Sequence, residues 1–424
     1  FPGGDPSTCP DRMASLLIWV ISLFGIALML VRPRGIAEWI WISGTAVLLV
    51  ASGLLPFSGA ITAVREGVEV YLFLAGMMLF SEMAREEGVF DWVADIAVQH
   101  ARESAGRLFI WIYAVGVVVT ALLSNDATAV VMTPAVLAVV RRARVNARPY
   151  LLACALIANA ASFVLPISNP ANLVVFDGHM PRLGAWLRIL LLPSIVSIVA
   201  TFAVLWRVSQ KSLTGAVAPV TEKRRLTPTG RLALAGILIG VATLLACSAL
   251  DIPLGVPTVC AGVFALVLVA IRDRAAPKTA VRNVAWGVIP LVAGLFVIVE
   301  ALNRAGMARM ADRGLAWLAG VPNGLGKFAG GFAVALLSNI MNNLPVGLAA
   351  GSALRHSAIH GRLAHAVLVG VDLGPNLSVT GSLATILWLI ALRREGENIT
   401  PWEFLKVGMI AMPVALALAL LVLR

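Results

Sequence analysis

The sequence predicts an all-helical membrane protein made of two inverted repeats. Each repeat has five spanning segments, one re-entrant hairpin, and helices broken near the bilayer midplane. Three observations predict this. Apolar runs of about 20 residues, long enough to cross a bilayer, recur along the whole chain. Four of the later runs are interrupted by Asn, Ser, Gly and Pro. Two blocks of residues also recur in the same order, one in each half.

In chain order, a polar tail (1–12) precedes apolar runs at 13–31, 36–55 and 68–84. The first run is too long for a signal-peptide core and no small-residue cleavage site follows it, so it reads as a membrane helix. Residues 88–102 differ. Val89, Phe90, Trp92, Val93, Ile96 and Ala97 share one helical face, and Asp91, Asp95, Gln99 and Arg102 share the other. That pattern predicts an amphipathic helix lying in the interface. The run 108–140 is broken at Ser124-Asn125-Asp126, and 150–176 is broken between Pro166 and Asn172. A span at 183–206 closes the first repeat, 13–206. The polar stretch 207–231, with Pro219, Pro228 and Lys223-Arg224-Arg225, reads as a cytoplasmic linker.

The second repeat, 232–424, follows the same order: spans at 232–250, 256–271 and 284–302, then an interfacial segment at 306–318. A stretch broken at Ser338-Asn339 comes next, then one broken from Gly374-Pro375-Asn376 through Gly381, and a last span at 404–423. Ala75-Gly76, Glu82 and Gly88 return with identical spacing as Ala293-Gly294, Glu300 and Gly306. Ala121-Leu122-Leu123-Ser124-Asn125 returns as Ala335-Leu336-Leu337-Ser338-Asn339. If each Ser-Asn break is the tip of a hairpin that enters and leaves on one side, each half crosses five times, and an odd count inverts the repeats. With both termini outside, 22 of the 33 Lys and Arg fall inside, the asymmetry expected of cytoplasmic loops.

Composition excludes other classes. Hydrophobic residues make up 59%, charged residues 13%, and mean hydropathy is +0.91, unlike a soluble domain. The net charge of +11 belongs to short loops between helices, so it does not point to nucleic acid. Cys9, Cys154, Cys247 and Cys260 form no C-x-x-C pair, which argues against a zinc or dithiol centre. Cys154 stands about one turn before Asn159, within contact range, although a Cys in an apolar helix is ordinarily a small packing residue. His356 and His360 have i, i+4 spacing but no third ligand nearby. No nucleophile–base pair, metal motif or cofactor motif is present, so the chain does not read as an enzyme.

The chemistry lies in the breaks. Backbone groups freed at membrane depth must be satisfied by protein or a water-lined cavity, so such breaks mark solute sites. The candidate solute-binding residues are Ser124, Asn125, Ser168, Asn169, Asn172, Ser338, Asn339, Asn342, Asn343, Asn376 and Ser382. Ordinary capping also places Ser, Asn and Pro at helix ends, but capping does not require four breaks paired by a repeat. Asp126 and Asp372 adjoin two breaks, and an ionisable group at that depth is a functional candidate. Both are assigned to proton coupling; the bland alternative is that each caps freed N–H groups. Glu82 and Glu300 lie near helix ends and read as interfacial anchors.

The strings LLSNIMNNLPVGL and GVDLGPNLSVTGSLATILWL, with SNDATAVVMTP and ISNPANLVV, resemble the arsenite permeases of the ion-transporter superfamily. The resemblance runs from about residue 31 to the C-terminus. Asp372-Leu373-Gly374-Pro375 followed by Gly381-Ser382-Leu383-Ala384-Thr385 is its most specific part. The chain departs from the family pattern at Ala127-Thr128 and at Asn376 with Ser378-Val379, which leaves room for an altered solute. The resemblance implies secondary efflux of arsenite, and of antimonite, as the neutral trihydroxide by proton antiport across a bacterial inner membrane. It also implies a soluble ATPase partner, for which the basic linker 207–231 is the candidate surface. Amides and hydroxyls offer a neutral hydroxide both donors and acceptors. An anion would call for Arg or Lys, which the four breaks lack. Silicic acid, also a neutral polyhydroxy solute, is the alternative cargo.

Overall fold

With no water to bond the peptide groups of an apolar segment, each such run closes its hydrogen bonds within itself as a helix. The computed structural model describes residues 12–176, 180–215, 217–218, 225–321, 324–356 and 361–423, with no strand among them. The first half comprises α1 (Arg12–Val31), α2 (Glu38–Ala51), α3 (Phe57–Glu66), α4 (Val68–Glu86), α5 (Val89–His100), α6 (Ala105–Leu122), α7 (Thr133–Arg142), α8 (Arg148–Ala160), α9 (Pro170–Val175) and α10 (Leu183–Ser209). The second comprises α11 (Pro228–Ala249), α12 (Gly255–Ala270), α13 (Ala276–Asn283), α14 (Val288–Arg304), α15 (Met307–Ala319), α16 (Leu325–Met341), α17 (Asn343–His356), α18 (Arg362–Leu373), α19 (Leu383–Arg394) and α20 (Pro401–Val422). The tail through residue 11 and the linker's Pro219, Lys223 and Arg224 lie outside the described residues, as does His360.

Six helical stretches among the described residues are long and apolar enough to cross a membrane. A seventh forms if α3 and α4, bent 47° apart, count as one. The helices α2, α12 and α16 are shorter apolar segments. The runs expected at 36–55, 68–84, 256–271 and 284–302 leave α3 and its counterpart α13 between them, outside any expected span. Both helices are short and amphipathic, so they carry no span signal.

The halves pack reciprocally. The second helix of each half lies against the fourth of the other: α2 on α14, and α12 on α4. The recurring Ala-Gly pairs make this approach possible. A Cβ on Gly76 would collide with the Thr258 carbonyl of α12, and one on Gly294 would come within 2.8 Å of Ile42 of α2. Gly88 and Gly306 both cap a following helix in the left-handed region, at φ 68° and φ 102°, where only glycine sits without strain.

Both broken stretches fold back on themselves. In the first half, Arg142 at the end of α7 pairs with Asp95 of α5, immediately before α6 begins. Asp95 is therefore buried rather than on the solvated face that the amphipathic pattern suggested. The start of the linker straps the same place: the Ala105 and Ala218 amides donate to Gly215 and Ala143 carbonyls, and the Val217 amide to Glu103. Leu213 and Val217 are buried there, so this stretch is part of the fold and not a free tether. In the second half, the Asn303 amide of α14 donates to Ser352 near the end of α17 at 2.8 Å. The predicted interfacial helix α15 has no buried residue, with Met310 and Trp317 widely exposed.

The reciprocal contacts make a graded prediction. Alanine at Gly76, against backbone, should cost about 1–3 kcal/mol through overpacking. Alanine at Gly294, where the nearest atom is Ile42 Cγ2 at 2.8 Å and the Ile42 backbone stands back at 3.2 Å, should cost less, and at Gly44, which faces open space, nothing. Thermal midpoints of the three purified variants check the order.

A hydrogen-bonded chain through four helix breaks

The first tip leaves α6 at Leu122 and resumes as a π-helical turn, Ala127–Met132. Its polar residues cap it: the Ala127 amide donates to Ser124 Oγ (3.1 Å) and the Asp126 amide to Asn125 Oδ1 (2.9 Å). Ser124 and Asn125 are buried, while Asp126 is half-buried. The second break, between α8 and α9, turns through Pro166–Ser168. Asn169 caps α9 by accepting from the Ala171 amide, and Asn172 Nδ2 donates to the carbonyls of Ser162 (3.0 Å) and Pro166 (3.3 Å).

In the second half the chain breaks at Asn342, φ 76°, three residues later than the Ser-Asn pair that was expected to mark it. Ser338 and Asn339 remain in α16. The Ser338 hydroxyl bonds only its own helix, at Val334. Asn339 instead points across to the fourth break. Its Nδ2 donates to Gly374 O (2.8 Å) and its Oδ1 accepts from the Ser378 amide and hydroxyl (3.0 and 2.7 Å). Asn342 Nδ2 donates to Thr380 O at 3.3 Å. Asn343 is buried at the start of α17. Ser382 caps α19, accepting from the Thr385 amide.

Side-chain hydrogen bonds join these parts. Ser168 Oγ donates to Ala121 O of α6 (2.9 Å), tying the second break to the first. Asn169 Nδ2 donates to Asp372 Oδ1 (2.7 Å), tying the second to the fourth. Asn339 then ties the fourth to the third. The four breaks thus form one side-chain chain through the interior, and none of its members is basic. Asn159, which the sequence singled out only as a neighbour of Cys154, belongs to it: its Nδ2 donates to Asn376 Oδ1 at 3.1 Å. Cys154 is buried beside the Thr133 hydroxyl of α7. Glu82 and Glu300 each pair with an arginine one turn on, Arg85 and Arg304. Among the described residues, no His, Cys, Asp and Glu cluster could hold a metal. Three cavities of about 240–360 Å³ lie beside the chain rather than on it; one touches α9 at Leu173 and another α19 at Leu383 and Leu387.

Buried helices interrupted around an internal polar chain define a polytopic membrane transporter. The family model described as "Citrate transporter" matches residues 12–371. The chain is 30% identical over 442 residues to the "Arsenical pump membrane protein" of Escherichia coli, covering 96% of this chain and 99% of that one. It is also 30% identical to the protein of that name from Yersinia enterocolitica, covering 95% and 98%. This protein belongs to the citrate-transporter family by that model, and to the family of the arsenical pump membrane proteins by its relatives. The crystal structure of the Alcanivorax borkumensis YdaH transporter, titled for its unusual topology, shares the fold. Its TM-score is 0.59 at 17% identity, with 97% of each chain covered.

The chain of bonds separates two neighbours. Interhelical hydrogen bonds in membranes average about 0.6 kcal/mol each, so Asn339→Ala, which loses several, should cost about 2 kcal/mol. Ser338→Ala should be near neutral. Denaturation of the two variants in matched detergent checks this.

Proposed function

We propose that the protein exports arsenite and antimonite as neutral trihydroxides, in exchange for protons, across a bacterial inner membrane. The observation that carries this reading is the internal chain of amides, hydroxyls and one carboxyl without a cation. Such a chain offers donors and acceptors to a neutral polyhydroxy solute. Citrate, named in the description of the family, would bring several negative charges to be matched by Arg or Lys. The relatives named as arsenical pump proteins support an arsenical as the cargo.

Ser124, Asn125, Ser168, Asn169, Asn172, Ser338, Asn339, Asn342, Asn343, Asn376 and Ser382 are the proposed solute contacts. Several of them also cap helices, and a site built from capped breaks needs both roles. A neutral solute feels no pull from the membrane potential, so export against a gradient needs a second ion. Asp372, which is fully buried, and Asp126 are the acidic groups at the breaks and are proposed to carry the proton.

The inverted topology, with repeats 13–206 and 232–424 and both termini outside, draws support from the inter-segment polar ties. Arg32–Glu38, Asn283–Glu86, Arg141–Glu397 and Arg148–Glu403 join segments that the charge count puts inside. Arg182–Asp251, Asn303–Ser352 and Lys327 to the Leu423 carbonyl join segments that it puts outside. A soluble ATPase docking on the linker 207–231 is part of the same proposal.

Everted vesicles holding the wild type should accumulate arsenite when a pH gradient is imposed, and Asn343→Ala at equal expression should not. Asp372→Asn fixes the neutral side chain, so it should still bind arsenite but lose the response to the gradient. If Asp372→Asn and Asp126→Asn both respond as the wild type does, neither aspartate couples transport to protons.

A further inference from the structure

The second and fourth breaks hold a set of polar atoms that the fold leaves unfilled. Asn159 is the penultimate residue of α8 and Asp372 the penultimate residue of α18. The two positions correspond in the repeat. At the same spacing along the chain, the helix caps Asn169 and Ser382 correspond. So do Asn172 and Thr385, each of which donates to a carbonyl of its own turn, Pro166 and Val379. Asn159 and Asp372 therefore form a repeat-related pair at the two breaks.

Each member has one oxygen committed or spare in a defined way. Asp372 Oδ1 accepts from Asn169, and Asn159 Nδ2 donates to Asn376 Oδ1. Asp372 Oδ2, Asn159 Oδ1 and Asn376 Nδ2 are buried without any hydrogen-bond partner. Ser162 Oγ lies in hydrogen-bonding range of the Asp372 carboxyl, but its proton goes to the Asn159 carbonyl at 2.7 Å, so it can accept from a neutral Asp372 and gives no donor to Oδ2 of the ionised one. All three residues are at most 1% exposed. Buried polar atoms in native proteins are almost always satisfied, and leaving one empty costs about 1–3 kcal/mol. Three such atoms within two cross-linked segments call for a small ligand that carries its own hydroxyls.

We infer that Asp372 Oδ2, Asn159 Oδ1 and Asn376 Nδ2 form a recognition subsite for a small neutral polyhydroxy solute, and that the Asn159–Asn376 amide pair sets its specificity. Two open oxygens accept from solute hydroxyls, and the free amide hydrogen donates to a solute oxygen. An oxyanion, even one that keeps hydroxyls, would bring its negative charge against the Asp372 carboxyl with no cation to offset it, so the set selects neutral hydroxides against anions. The inference deepens the export reading and rests on it for the direction of transport, but not for the chemistry of the subsite.

The test is binding to the purified full-length chain by titration calorimetry, with arsenous acid, antimonous acid, silicic acid and arsenate as probes. The wild type should bind at least one neutral hydroxide and bind arsenate far more weakly. Asn159→Leu and Asn376→Leu should each weaken neutral-hydroxide binding about tenfold. Asn159→Asp, which keeps acceptor oxygens, covers the case in which the leucine variants do not fold, and should weaken it less. Wild-type affinity in the folded leucine variants overturns the subsite, as does no neutral hydroxide binding the wild type, or arsenate binding best. Silicic acid bound with neither metalloid sinks the arsenite reading and leaves the subsite standing. Arsenite export by Asn159→Leu with unchanged KM does the reverse.

Discussion

The governing constraint is that a helix broken inside the membrane frees peptide groups that lipid cannot satisfy. Each of the four breaks meets it with side chains, and mostly with side chains from another break. Ser168 covers the Ala121 carbonyl, Asn339 that of Gly374, and Asn342 that of Thr380. Asn172 and Thr385 instead work within their own turns, Asn172 holding three carbonyls of the loop before it and Thr385 that of Val379. No single break is therefore complete without its neighbours, and an amide becomes the residue of choice because it donates and accepts at once.

That mutual dependence explains the packing around the breaks. Reciprocal seating of α2 on α14 and α12 on α4 requires two helix axes to approach closely, hence Gly76 and Gly294 at the crossing points. The same rule recurs beside the polar chain. A Cβ on Gly374 would come within 2.7 Å of the Ala335 backbone, and one on Gly381 within 2.8 Å of Asn339 Oδ1. Glycine brings the fourth break close enough for Asn339 to span it. Small residues are the usual means of close helix approach in membranes, and here they set the reach of the amides.

Much of this was legible in the sequence because it rests on periodicity and repetition. Long apolar runs located the helices, and the recurring Ala-Gly and Ser-Asn blocks located the pairs. What escaped was short or relational. The helices α3 and α13 were too brief to register as spans. The Ser-Asn string named the right hairpin but not the residue that breaks it: Asn342 turns the chain, and Asn339 stays helical and reaches outward. Asp95 looked solvated because its partner, Arg142, is remote in sequence. Asn159 gave no local signal, since an Asn in an apolar helix end reads as a cap until the chain facing it is known. The capping role expected of ordinary breaks was also real: Ser124, Asn125, Asn169 and Ser382 each accept a backbone amide.

The correspondence between Asn159 and Asp372 is one of position but not of chemistry, and the difference has a physical cause. Asn159 and Asp372 hold equivalent positions at the ends of α8 and α18, yet one is an amide and the other a carboxyl. Two carboxyls in one buried cluster could not both be charged, because like charges at short range in a dry interior repel strongly. Two amides would leave nothing there able to change charge. One of each keeps two similar oxygen acceptors while confining the charge to one side of the pair. The asymmetry extends outward: Asp372 is held by the cap of α9 in the opposite repeat, whereas Asn159 is held by Asn376, beyond the end of α18. A change in the charge of Asp372 would thus be felt first at Asn169, and through Ser168 at the end of α6. Under the proposed coupling, the proton acts on the same bonds that hold the breaks together.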